Sequence, residues 1–210
     1  MDLISGPDGD DWRVPVTELQ ERQRRLSKSL ASHGMESALI DDPVELYWLT
    51  GGRQNGILLI GADGTGIDTT HWVRRSLRRA LFESGGSDCP HDTMLQPRMG
   101  ALEDSLIERG CSTKPAMLSG KIPAERVSFI NSRIGSLNGE IENCTSLLYG
   151  LREVKSEWEI SMHRESGVIN RKMFEAVEEA GSVGKTELEL SLIHISEPTR
   201  LLSIGGGGVW

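Results

Sequence analysis

Hydrophobic positions along this chain follow two different repeats. Leu19, Leu26 and Leu30 recur at helical spacing, with Glu18 to Arg22 and Glu21 to Arg25 as i,i+4 ion pairs on the polar side, which predicts a helix over Val16–Ser32. Thr17 and Gln20 have the spacing of a capping box, and His33-Gly34 supplies the stop. The basic run from Arg22 to Arg25 is interspersed with acid and reads as a solvated face. Residues 35–40 end in the uninterrupted run Ala38, Leu39, Ile40, and residues 56–60 form a second such run, both too short for helices and bounded by turn formers, as interior strands are. Between them, Pro43 suits a first helical position and Gly51-Gly52 a stop, so 43–49 is a short helix. Ala62-Asp63-Gly64 is a hairpin turn returning through 67–70. The order helix, strand, helix, hairpin sets the fold of everything before Arg152.

Further on, Val73, Leu77, Ala80 and Leu81 make an apolar stripe opposite Arg74, Arg75, Arg78 and Arg79, predicting a helix over 73–84. Residues 85–92 have loop composition. Residues 100–109 read as a helix with Leu102, Leu106 and Ile107 inward, 116–118 as a short strand, 124–137 as a helix through Val127, Ile130 and Ile134, and 140–144 as an edge strand. Ser156 and Glu159 form a second capping box, opening a long helix whose apolar positions Trp158, Met162, Ile169, Met173, Phe174 and Val177 run towards Gly181. The expected fold class is α/β, a mixed sheet flanked by helices.

Composition narrows the function. With 210 residues and 37% hydrophobic content the chain can bury one full core and begin a second domain. Its 31 acidic and 23 basic residues give a net charge of −8, which argues against a nucleic-acid surface. Cys89, Cys111 and Cys144 are widely spaced, so neither a disulfide framework nor a zinc knuckle is indicated, and a reducing cytoplasm is the expected compartment. The acidic segment 1–15 lacks a secretory pattern, and no run is long enough to span a membrane.

Candidate chemistry gathers at the end of the short helix. Tyr47, Trp48, Thr50 and Gly51 concentrate rings and a hydroxyl beside glycine, with Arg53 just beyond and His71-Trp72 after the third strand. Two readings stand: Leu46 and Leu49 pack on the sheet while the rings fill its edge, or the tip lines a ligand or partner surface. The four arginines between 74 and 79 form a basic patch, read as a solvated face in preference to an anion or carboxylate site, because no phosphate-cradling glycine loop accompanies it. Asp88, Cys89, His91 and Asp92 invite a metal reading, but they lack the second ligand pair that closes a tetrahedral site.

Taken together, Arg22 to Leu26 with Leu30, the G-x-x-x-A-hydrophobic-hydrophobic pattern ending at Ile40, the Tyr-x-x-Thr-Gly ending at Gly51, and Leu58 to Gly64 resemble the amino-terminal domain of the creatinase, prolidase and Xaa-Pro aminopeptidase family, the pita-bread metallopeptidases. Arg152, Lys155, Ser156, Glu159 and Ile160 resemble that family's crossover into its catalytic domain, and Gly184, Thr186, Glu187 and Glu189 the start of the next helix. After the acidic tail at 1–15, the resemblance implies a creatinase-type, ribonuclease H-like domain at 16–150, and a linker with the first helix of a truncated pita-bread α+β domain at 151–189.

What the resemblance implies for function lies outside this stretch. The family's centre holds two divalent metal ions (manganese, cobalt or zinc) on two aspartates, a histidine and two glutamates, where a bridging hydroxide attacks the peptide carbonyl before proline. None of those motif positions occurs here, so no catalytic residue, metal ligand or cofactor is assigned to the chain itself. The expected parent is a homodimeric Xaa-Pro peptidase acting on proline-containing peptides, without nucleic-acid or membrane partners. Tyr47, Trp48, Thr50, Gly51, Arg53, His71 and Trp72 are its substrate or dimer-interface candidates. A creatinase-like amidinohydrolase, working through a histidine without metal, and a non-catalytic pita-bread protein that binds peptides or histones share the same visible architecture. Residues 190–200, LSLIHISEPTR, resemble translated read-through of a sequencing-library adapter, which makes 190–210 a non-native tail. The alternative is a genuine short strand over 190–195.

Overall fold

The two apolar runs become adjacent strands with both faces covered. The structure, a computed structural model, describes residues 11–66, 68–180, 184, 186 and 188. The expected tail at 190–210 and the acidic residues 1–10 lie outside the described residues. One compact unit spans Arg13–Val154, and a second includes the described residues from Lys155.

In the first unit, α1 (Val16–Ser32) precedes β1 (Ser37–Ile40), α2 (Pro43–Thr50), β2 (Gly56–Gly61) and β3 (Thr69–Val73). After these come α3 (Leu77–Glu83), β4 (Asp92–Leu95), α4 (Leu102–Glu108), β5 (Ala116–Met117), α5 (Ala124–Arg133) and α6 (Thr145–Glu153). The strands form one mixed sheet in the order β4-β3-β2-β1-β5. The inner pairs β1/β2 and β2/β3 are antiparallel, while β3/β4 and β1/β5 are parallel.

Strand alternation sends Ala38, Ile40, Leu58 and Ile60 to one face, where Leu26 and Leu30 of α1, Leu46 and Leu49 of α2 and Leu148 of α6 cover them. Leu39, Ile57, Leu59 and Trp72 point the other way and meet Leu102 and Leu106 of α4 and Ile130 of α5. A sheet covered on both faces needs apolar residues at every inner position, which is why these strands read as unbroken runs.

Several expected elements take different bounds. The first capping box does not form: α1 starts after Pro15 without a side-chain cap, since Thr17 lies inside the helix rather than ahead of it. Arg22 leaves the solvated face to be buried, donating through Nε to Glu18 (2.8 Å) and through a terminal nitrogen to the Trp48 carbonyl (2.9 Å). Glu21 pairs with Arg24, not Arg25, whose guanidinium instead donates to the Leu151 carbonyl at 3.0 Å. His71 and Trp72 belong to β3 itself, and Val73 ends that strand, so the following helix starts four residues later than its apolar stripe implies. Ile67, the expected start of the return strand, lies outside the described residues. Part of the expected loop at 85–92 leads into the unforeseen edge strand β4. Ile107 faces solvent, α5 stops at Arg133, and 140–144 contributes a single bridge from Asn143 to Met117 in place of a strand.

The hairpin turn is built on Asp63, whose Oδ1 accepts from the backbone N–H groups of Thr65 and Gly66 and from the Ser27 hydroxyl of α1. Gly66 has φ +77°, and a Cβ there would sit 2.7 Å from the Arg24 backbone nitrogen. The hairpin therefore rests directly on the backbone of α1, a position only glycine fits.

In the second unit, α7 (Glu157–Ala180) opens on the expected capping box: the Glu159 N–H donates to Ser156 Oγ at 3.1 Å and the Ser156 N–H to Glu159 Oε2 at 3.0 Å. Phe174 is exposed, while Trp158 and Met162 are half-buried.

Candidate functional site

Asp42 caps α2 by accepting from the Val44 and Glu45 N–H groups, Pro43 fills the first position, and Gly51 ends the helix in the left-handed conformation with φ 70°. This compact helix separates the aromatic tip into inner and outer residues. Trp48 is buried, its ring under the Arg22 guanidinium at 5.3 Å. Thr50 is fully buried, its hydroxyl donating to the Leu46 carbonyl at 2.7 Å and accepting from the Gly52 N–H. Tyr47 faces outward, 40% exposed, and Arg53 is exposed, its backbone N–H donating to Glu83 Oε2 at 2.9 Å.

His71 and Trp72, neighbours in β3, point to opposite faces of the sheet. Trp72 joins the cluster beneath α4 and α5. His71 is 1% exposed, edge-on to His91 with ring centroids 5.9 Å apart. Gln23 of α1 donates its amide to the Leu49 carbonyl (2.9 Å) and to His91 Nδ1 (3.0 Å), so the neutral His91 ring carries its proton on Nε2. That Nε2 and both nitrogens of His71 have no hydrogen-bond partner. Burial holds the His71 pKa down to about 4, and burial together with the neighbouring His71 holds His91 down to about 3. The seven candidates are thus not brought to one place: Tyr47 and Arg53 are outer, Trp48, Thr50, His71 and Trp72 are inner, and Gly51 lies between as the partly buried helix end.

Sequence reading passed over Glu45, which is completely buried. Its Oε1 accepts from Lys121 Nζ at 2.7 Å and from Arg152 at 2.6 Å, tying α2 to the loop after β5 and to α6. A carboxylate three residues after an N-cap looks like ordinary first-turn acid, so its partners 76 and 107 residues away leave no local signal. The 85–92 loop does not assemble as a ligand set: His91 is buried, Asp88 is exposed, and Asp92 is paired with Arg109 at 2.7 Å. Among the described residues, no group of three or more His, Cys, Asp or Glu side chains is placed to hold a metal ion. Also among them, no helix is long and apolar enough to cross a membrane.

No protein-family model and no curated protein matches the chain. Solved structures do. The Xaa-Pro dipeptidase from Bacillus anthracis superposes with a TM-score of 0.70 at 17% identity, over 87% of this chain and 49% of that one. The fold is that of the amino-terminal half of Xaa-Pro peptidases. The dipeptidase from Pyrococcus horikoshii is similar at 25% identity and a TM-score of 0.61, over 88% of this chain and 51% of its own. The amino-terminal domain of the cytoplasmic peptidase PepQ from Mycobacterium tuberculosis matches over 63% of this chain and 99% of its own, with a TM-score of 0.53 and 19% identity. Against the full-length peptidases, this chain spans about half the length of the structures it resembles.

Proposed function

We propose that this chain is the amino-terminal part of a metal-dependent Xaa-Pro peptidase: a ribonuclease H-like domain at 16–150, and a linker with the first helix of a pita-bread catalytic domain at 151–189. The observation that carries this reading is the superposition on Xaa-Pro dipeptidase over 87% of this chain but 49% of that one. The capping box at Ser156 and Glu159 supports the junction, since it starts α7 where the crossover motif stands. In this reading the two divalent metals, manganese, cobalt or zinc, are held by carboxylates and a histidine beyond this chain, in a cytoplasmic homodimer that cleaves before proline. Tyr47 and Arg53 are the candidates for reaching substrate or the dimer interface, being outward-facing, whereas Trp48, Thr50, His71 and Trp72 act through packing.

The purified 210-residue chain should not turn over an Xaa-Pro dipeptide with manganese, cobalt or zinc; turnover would overturn the proposal. In a gene completed with its catalytic half, Arg53→Ala should raise KM with Tm unchanged. Trp48→Ala should instead cost about 3–5 kcal/mol of stability, as for other large buried aromatics.

A further inference from the structure

We infer that Arg53, Arg74 and Arg75, with Gln54 and Asn55, form a binding site for a small, multiply charged oxyanion. The inference stands independently of the peptidase reading. The β2/β3 ladder ends at the pair Gly56 and Val73 and is extended by one more bond, from the Arg74 N–H to the Asn55 carbonyl at 2.9 Å. Segments 53–55 and 74–75 therefore lie side by side past the end of the ladder, and together they wall a cavity of about 340 Å³. That volume is in the range of small-molecule sites and far below what a folded partner fills.

All three arginines are exposed, and none of their guanidinium groups has a carboxylate partner among the described residues. Three arginines lining one cavity repel each other, in a chain whose net charge of −8 would otherwise supply acidic neighbours. The acid bonded to this loop is already engaged. Glu83 is buried, with Oε1 accepting from Arg79 at 2.8 Å and Oε2 from the Arg53 N–H and, at 3.5 Å, the Gln54 amide. It holds the loop through the Arg53 backbone N–H and the Gln54 amide and pairs with none of the three guanidinium groups of the cavity-lining arginines.

The backbone supports the same assignment. Ser76, immediately after the arginine pair, is in the left-handed region at φ 52°, the one non-glycine residue among those described with positive φ. Such a conformation costs of the order of 1–3 kcal/mol and persists where the surroundings hold it. Here it stands between the end of β3 and the start of α3, directly after the pair that the Arg74 N–H to Asn55 carbonyl bond holds beside the 53–55 loop. Planar guanidinium forks flanked by amide donors match oxyanions bidentately, whether phosphoryl groups or clustered carboxylates.

The test is calorimetric titration of the 210-residue chain with pyrophosphate and, separately, with citrate at constant ionic strength. One saturable site is expected, and whichever anion fills it more tightly identifies the phosphoryl or the carboxylate source. Arg53→Gln and Arg75→Gln should each weaken binding about tenfold or more. Arg78→Gln, the same charge change on an exposed α3 position outside the cavity, should leave affinity within about twofold, as expected of diffuse surface charge. Arg74→Gln replaces either cavity variant that fails to give a wild-type melting curve. Failure of both anions to saturate, or equal weakening by Arg78→Gln, would overturn the assignment.

Discussion

Acidification from pH 7 to pH 5 should destabilise this fold through His71 and His91. Both rings are buried and neutral in the folded chain, with pKa values held down to about 4 and about 3 against an ordinary 6.5. A histidine whose folded pKa is depressed contributes its full stability above the unfolded value and loses it as pH falls towards the folded value. Each unit of pH inside that window removes about 1.4 kcal/mol per ring. Between pH 7 and pH 5 each ring therefore withdraws about 2 kcal/mol, and the two together about 4 kcal/mol, a large share of a typical domain's 5–15 kcal/mol. Glu36, which the Ser112 and Thr113 hydroxyls hold to about 2, stays ionised throughout this range and cannot account for the loss.

The assay is urea unfolding at pH 7 and pH 5 for the wild type, His71→Phe and His91→Gln. The two His71 nitrogens have no partners, so a ring of similar shape without polar atoms should be neutral or mildly stabilising at pH 7. Each substitution should remove about half of the pH dependence. A wild-type chain equally stable at both pH values would refute the reasoning, as would a His71→Phe chain that keeps the full slope.

Three further outcomes follow from packing. Glu45→Ala should cost about 1–3 kcal/mol in chemical denaturation, because it removes the buried carboxylate that Lys121 and Arg152 share, while both cations stay partly solvated and Lys121 keeps Asp42 at 3.5 Å; adding Lys121→Ala should recover part of that in a double-mutant cycle. Gly66→Ala should lower Tm at a cost of about 1–3 kcal/mol, since the new Cβ meets the α1 backbone and the φ is positive. Ser156→Ala should remove about 1 kcal/mol from the start of α7, read as lost helical circular dichroism on mild heating.

The parts of the fold legible in the sequence are those whose burial is dictated by near neighbours. Ala38 to Ile40 and Ile57 to Ile60 are covered on both faces, and no other element tolerates so short and continuous an apolar run. The Ser156 to Glu159 box was readable because both partners lie within one turn. β4 was not: Asp92 and Leu95 are exposed, so an edge strand of this kind carries no alternation. The start of α3 was hidden by Ser76, whose left-handed backbone has no residue-type signature when it is not glycine. The same holds at the site level. The arginines of 74–79 were visible as a charge patch, but Arg53 joins two of them only through the β2/β3 register, and only α1 packing takes Arg22 out of water.

The strand order also dictates how the chain can assemble during synthesis. The three central strands and α1 all lie before residue 74, so they leave the ribosome as one local antiparallel unit. Both flanking strands arrive later and by parallel pairing, β4 from residue 92 and β5 from residue 116. A nascent chain paused between residues 74 and 92 presents the borders of β1 and β3 uncovered at once, which makes that interval the period when chaperone protection matters most.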